Sequence, residues 1–190
     1  MLESLDVEHL VVVEPHADDA FLCMGQHIEE RTAKGLKTTI WTIYSGTRKR
    51  AADAEAYAKA VGADWIGSGL VEGQPLDEEL LTKTLMTFPT THFACPLGIT
   101  HPEHMSVRDL LIKALWVPSF QPLLYLDQPY AITQKNGQRV TELLRGKRVV
   151  SYRRPGVRKY RHIPLFRDQA KFYHYNPVEK LLQTCELIVV

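Results

Sequence analysis

The chain has 190 residues, and 45% of them are hydrophobic. That suits one domain with a full core and excludes a disordered or fibrous chain. A formal net charge of +1 argues against a nucleic-acid-coating protein. Cys23, Cys95 and Cys185 form an odd set with no Cys-x-x-Cys, so they read as reduced thiols of a cytoplasmic protein, not a disulfide framework.

In chain order, residues 1–8 are polar and acidic, unlike a signal peptide, and no apolar run reaches the length of a membrane span. Residues 9–14 predict a strand: three consecutive valines suit a strand buried on both faces, and Pro15 ends it. A helix is expected over 18–34, with Phe21, Leu22, Gly25 and Ile28 on its apolar side and Gly35 as its stop. His9, at the amino end of the first strand, reads as a surface or packing residue, and His27 as packing or solvent-facing.

Residues 37–44 alternate as a second strand and leave through Ser45-Gly46-Thr47. Arg48, Lys49 and Arg50 follow. They either orient polar oxygens of a substrate, with Arg50 foremost and Arg48 beside it, or begin a solvated helix with Arg50 paired to Asp53. The alanine-rich run predicts that helix up to Gly62. Then come a short strand over 63–67, a helix over 77–86 with Asp77 as N-cap, a strand over 91–95 and a helix over 105–116. A fifth strand is expected over 122–127, and Asn136-Gly137 signals a turn. The basic stretch 145–162 reads as an exposed charged ribbon, more readily than as a groove for nucleic acid. His162 and His174 are open to a role in a pocket. A last helix is expected over 168–184, interrupted at Asn176-Pro177. The apolar Leu187-Ile188-Val189-Val190 either packs back as a strand or meets a partner chain. Alternating strands and helices make this a three-layer α/β fold with a mainly parallel sheet, Rossmann-like in pattern. Without Gly-x-Gly-x-x-Gly or Gly-Lys-Ser/Thr in the first turn, it is neither a dinucleotide site nor a P-loop.

Two clusters carry chemistry. Pro15-His16-Ala17-Asp18-Asp19 lies in the turn after the first strand, at the carboxyl edge where such sheets bind ligands. Adjacent carboxylates repel, and a divalent metal relieves that. The plain alternative is helix capping by the aspartates. The second cluster, His101-Pro102-Glu103-His104, occupies a loop after another strand, on the same edge, and tips the balance to a metal. His16, Asp19 and His104 with a water would form the open four-coordinate arrangement of a catalytic zinc site, leaving Asp18 free as a base.

Together these motifs resemble the LmbE/PIG-L family of zinc-dependent N-deacetylases. Arg50, Asp53 and the helix ending at Val61-Gly62-Ala63 are similar to a further stretch of that family, and the likeness spans about residues 8–117. The chain departs from the pattern at Ala20, where Glu follows the aspartates, at Cys23-Met24-Gly25-Gln26, where the family is glycine-rich, at Asp53 in place of Glu, and at Glu103 in place of the commoner Asp.

The resemblance implies a single deacetylase-like domain over 1–190, with a motif-bearing core of about 8–126 and a variable part of about 127–190. It implies Zn²⁺, or another divalent metal such as Fe²⁺, held by His16, Asp19 and His104. Asp18 would be the general base and His101 would polarise or protonate at the reacting carbonyl. The substrate would be an N-acylated amine, most plainly an N-acetyl amino sugar or its conjugate. A homo-oligomer is compatible with the sequence, while a membrane span and a nucleic-acid partner are not expected. Two other readings use the same residues: a non-catalytic metal- or nucleic-acid-binding module on a degenerate scaffold, and a metal phosphoesterase, which usually needs a second metal set.

Overall fold

The computed structural model describes residues 7–90, 92–115, 122–128, 130–132, 134–152, 162–166 and 186–189. The first strand, β1 (His9–Glu14), is buried along its whole length. Its alternate residues divide between two apolar clusters, as the period of two along a strand requires. Leu10 and Val12 join Phe21, Leu22, Met24 and Ile28 of α1 (Asp19–Ala33) and Tyr57, Ala58 and Val61 of α2 (Arg48–Val61). Val11 and Val13 join Leu81 and Leu85 of α3 (Glu78–Leu85) and Val107, Leu110 and Leu111 of α4 (Pro102–Ala114). Two helical layers thus enclose one sheet, the three-layer arrangement read from the alternating elements.

β1 pairs in parallel with β2 (Lys37–Thr42) on one side and with β4 (Phe93–Pro96) on the other. β3 (Asp64–Gly67) extends the sheet beyond β2, and β5 (Leu123–Tyr125) extends it beyond β4, both in parallel. β7 (Glu186–Val189) pairs antiparallel with β5 and with β6 (Val149–Tyr152). The spatial order is β3-β2-β1-β4-β5-β7-β6. The chain therefore runs outward from β1 through β2 and β3, then returns to the far side of β1 as β4. That reversal opens a crevice beyond the carboxyl ends of β1 and β4, the place where open α/β sheets take ligands.

Several expectations shift in detail. α4 begins at Pro102, a turn earlier than the periodicity suggests, because proline at N1 loses no helical hydrogen bond. His101 is consequently its N-cap residue, and His104 stands in the first turn of the helix, not in a loop. Asn136 ends a 3₁₀ turn (Gln134–Asn136) and leads into α5 (Gly137–Leu144). Arg50 makes its ion pair with Glu72, not with Asp53. The apolar 187–189 stretch packs back as β7, and the basic stretch contributes β6 as an edge strand. The expected helix over 168–184, His174 and Cys185 lie outside the described residues. Among the described residues no helix is long and apolar enough to cross a membrane.

Candidate metal centre

The turn from β1 into α1 is held by two carboxylates with different partners, Glu14 and Asp19. Glu14, the last residue of β1, is fully buried and its Oε2 accepts the Ala20 N–H at 2.8 Å. Its Oε1 accepts the Thr42 hydroxyl at 2.6 Å. Burial pushes the Glu14 carboxyl up to about 8, against the pull of these two bonds. Asp18 occupies the N-cap position of α1, yet its carboxylate makes no cap hydrogen bond. Asp19 points back over the turn, and its Oδ2 accepts the His16 N–H at 2.8 Å. The capping account of this aspartate pair therefore fails: the N–H of residue 20 is served by Glu14.

The second loop is equally constrained. Asp127, just past β5 and fully buried, accepts the N–H groups of Gly98 and Ile99 at 3.2 and 2.8 Å. Arg108 of α4 donates to the carbonyls of Leu97 and Gly98 at 2.8 and 3.2 Å. Gly98 has φ of +71°, a backbone conformation that favours glycine, and a Cβ there would also crowd the Met105 backbone at 3.1 Å. These contacts aim His101 and His104 back toward β1.

The two loops bring three donor atoms together. His16 Nδ1 lies 3.4 Å from Asp19 Oδ2 and 3.2 Å from His104 Nε2, and Asp19 Oδ2 lies 3.3 Å from His104 Nε2. A tetrahedral ion with ligands at about 2.0–2.1 Å separates its donors by roughly 3.3–3.4 Å. The near-equilateral triangle of imidazole, imidazole and carboxylate thus fits a divalent cation on one open face. His101 can also bring a ligand atom within 4.8 Å of the other two imidazoles, and it is the most exposed of the three. Asp19 closes the tighter triangle, and His101 stands at its rim.

Each triangle histidine has a carboxylate on its other nitrogen. His16 Nε2 lies 2.6 Å from Glu103 Oε2, and an ionised carboxylate can only accept. In the neutral ring the proton is thereby placed on Nε2, which leaves the Nδ1 lone pair for the triangle, as a metal ligand requires. His104 Nδ1 lies 3.5 Å from Asp127 Oδ2, a charge contact just beyond hydrogen-bond geometry. That nitrogen is buried without a hydrogen-bond partner.

The charges follow. Burial lowers His16, but bonding with Asp19, the Asp19 charge and the Glu103 bond outweigh it and push His16 up to about 9. Burial lowers His104 too, and Asp19 and Asp127 together raise it overall. Asp19 is driven down despite its burial, first by the His104 charge and then by His16. His101 is held below the ordinary imidazole range, by burial and then by its two neighbouring imidazoles. A proton in the triangle satisfies its carboxylate as a cation would, while His101 stays neutral and keeps one N–H to donate.

At the mouth, Tyr44 stacks on His16 with centroids 5.8 Å apart. Tyr130 lies 5.6 Å from the His101 ring and 5.5 Å from that of His104. The loop between β3 and α3 closes one side: the Gly73 N–H donates to Glu103 Oε1 at 2.7 Å, and Glu72 Oε1 lies 3.7 Å from His16 Nε2. Arg50 Nη2 meets Glu72 Oε1 at 2.6 Å. Gly46 packs under this loop, where a Cβ would strike the Gly69 carbonyl at 2.7 Å. Arg48, at the first residue of α2, is exposed.

The structure therefore brings His16, Asp19, His101 and His104 together, with Asp18 in the same turn, Arg50 tied to that rim through Glu72, and Arg48 further out. Sequence reasoning missed Asp127, Tyr130 and Glu72. Asp127 carried a signal, being a carboxylate at the carboxyl end of a predicted strand. His162 is buried against Glu29, with Nε2 3.0 Å from Oε1. A hollow of about 660 Å³ lined by Glu8, His9, Lys37, Phe88, Pro89, Thr90 and His92 lies at the opposite edge of the sheet, away from this chemistry.

No family model matches the chain, and no curated protein does. Solved structures do. The zinc-inhibited form of teicoplanin deacetylase Orf2 superposes with a TM-score of 0.78 at 15% identity, over 95% of this chain and 97% of that one. The N,N'-diacetylchitobiose deacetylase from Pyrococcus horikoshii matches with a TM-score of 0.56 at 15% identity, over 97% of this chain and 84% of that one. The 4-carboxy-2-hydroxymuconate hydratase GalB from Pseudomonas putida KT2440 gives the same TM-score of 0.56 at 13% identity, over 97% and 96%. At such identities the likeness establishes the fold: a three-layer, Rossmann-like α/β fold with a mainly parallel sheet, shared with structures that include deacetylases.

Proposed function

We propose that this protein is a metal-dependent hydrolase that removes an N-acetyl group from an amino sugar or amino-sugar conjugate. The triangle of His16 Nδ1, Asp19 Oδ2 and His104 Nε2 carries the reading, since its edges of 3.4, 3.3 and 3.2 Å suit one tetrahedral cation. Bound there, Zn²⁺ or a related divalent ion would acidify a water and polarise the amide carbonyl.

The chain's own groups supply the rest. Asp18, in the same turn as His16 and Asp19, takes a proton from the attacking water and returns it to the leaving amine. The neutral His101 donates its N–H to the carbonyl oxygen as negative charge builds there. Arg50, set by Glu72, and Arg48 beyond it present donors to sugar oxygens. Water's oxygen ends on the acyl carbon, the C–N bond breaks, and acetate and a free amine leave. Buried free thiols at Cys23 and Cys95 accord with a cytoplasmic setting.

One structure of this fold is an N,N'-diacetylchitobiose deacetylase and another is the zinc-inhibited form of a teicoplanin deacetylase, which supports the substrate class and makes metal identity a variable to be measured. A second reading, addition of water to an unsaturated acid, is favoured by the hydratase of the same fold. Both are tested together. Metal content of wild type and His16→Ala is measured, and the protein loaded with Zn²⁺, Fe²⁺ or Co²⁺ is assayed on N-acetylated amino sugars and on unsaturated dicarboxylic acids. About one metal per chain, lost in the variant, with acetate released from the sugars, is expected. Turnover of the unsaturated acids alone would install the hydratase instead, and an absence of metal uptake would overturn both.

A further inference from the structure

Glu14 has both carboxylate oxygens engaged away from the donor triangle. It is fully buried at the end of β1, two residues before His16. One oxygen accepts the Ala20 N–H, the other accepts the Thr42 hydroxyl, and Thr42 Oγ1 in turn accepts the Trp65 Nε1–H at 2.9 Å. A single side chain so joins β1, the first turn of α1, the end of β2 and β3. The segment it spans, residues 15–19, carries His16, Asp18 and Asp19 and nothing else that could hold a metal. Ala20 cannot do this work itself, because its side chain lies in the apolar cluster beneath α1.

We propose that Glu14 is a positioning residue for the metal-binding turn: by clamping Ala20 and Thr42 it sets the separation of His16 and Asp19 on which cation binding depends. The inference rests on the metal-centre reading above. A plain helix cap would stabilise the fold without altering metal affinity. A positioning residue alters the affinity itself, because donor atoms that drift apart no longer share one ion, and loss of such support typically costs about 10- to 100-fold.

The test is a Co²⁺ titration of the full chain, followed by its visible absorption, with thermal midpoints recorded on the same samples. Glu14→Ala is expected to bind Co²⁺ about 10- to 100-fold more weakly than wild type. Glu14→Gln keeps an oxygen for Ala20 and an amide for Thr42 Oγ1, and is expected to bind near wild type. Should Glu14→Ala fail to fold, Thr42→Val decides: it removes one of the two bonds, and a loss of about fivefold in affinity is expected, the worth of one net hydrogen bond. A lower midpoint with unchanged Co²⁺ affinity in the variant that folds overturns the proposal. A wild type that binds no Co²⁺ overturns the metal-centre reading and this inference with it, whereas a binding wild type with equally tight Glu14→Ala overturns this inference alone.

Discussion

The strand pair β1 and β4 has histidines at both ends, and the two ends have become opposite environments. At the amino end His9 begins β1 and His92 precedes β4; at the carboxyl end His16 follows β1, and His101 and His104 follow β4. Carboxylates converge on the second set: Asp19, Glu103 and Asp127 each lie within 3.5 Å of an imidazole nitrogen. Charges of both signs meet around His9 in the first set: Lys37 and Arg31 lower it, Asp64 and Glu8 raise it. Burial and then the Lys37 charge hold His9 below the usual imidazole range, and Arg31 is buried close by, donating to the Val7 and Lys37 carbonyls. His9 Nε2 is taken by the Thr39 hydroxyl at 3.0 Å. Imidazole alone does not make a cation site. The surroundings decide: carboxylates raise His16 and His104 at one rim, while burial and Lys37 lower His9 at the other.

The sharpest way to break this comparison is at Asp18. Asp18→Asn is expected to keep metal at wild-type affinity while kcat falls by about 10²–10⁴, the usual worth of a general base. Steady-state kinetics beside metal analysis reads both, and an active variant would remove Asp18 from the chemistry. A smaller loss is expected at Asp127. Replacement by Asn keeps the volume but withdraws the charge facing His104 Nδ1 and can accept through one oxygen only, so metal affinity should fall by about 10- to 100-fold. Competition with a metal chelator measures it, and unchanged affinity would leave Asp127 as a loop anchor only.

The smallest effect belongs to the amino rim. His9→Gln should leave metal affinity and turnover unaltered. Because His9 is lowered from 6.5, the folded chain binds this proton more weakly than the unfolded chain. Stability is therefore full above about pH 6.5 and declines as pH falls below it. Thermal midpoints at pH 7 and pH 5 should converge in the variant relative to wild type. A variant as acid-sensitive as wild type would place the titrating group elsewhere.

The parts of this contrast that were legible in the sequence are those fixed by local pattern. Val11, Val12 and Val13 announced a doubly covered strand, and a strand ending in Pro15 put His16 at its carboxyl rim. The same reasoning put His101 and His104 on that rim. What local pattern could not reveal are partners brought in from distant segments. Glu72 reaches the site only because the β3–α3 loop folds over Gly46, and Tyr130 only because a short 3₁₀ turn follows Asp127. Arg50 could be read as a useful donor, but its choice of Glu72 over Asp53, three residues along its own helix, is a tertiary matter. Asn136-Gly137 marked a turn but not the helix that follows it, because asparagine serves helix starts and turns alike.

The position of β7 bears on how the molecule reaches this state. It is threaded between β5 and β6, and its buried Glu186 accepts the Gln26 and His27 N–H groups of α1 at 2.8 and 3.0 Å. A helix formed within the first quarter of the chain is thus secured by a residue about 160 positions later. Contacts so distant along the chain form late, because a long loop must close before they gain anything. A growing chain could pair β1, β2 and β4 and bring both histidine clusters into register well before α1 is locked. Chemical competence and mechanical completion would then be separate events in time, with the crevice assembled first and its backing helix secured afterwards.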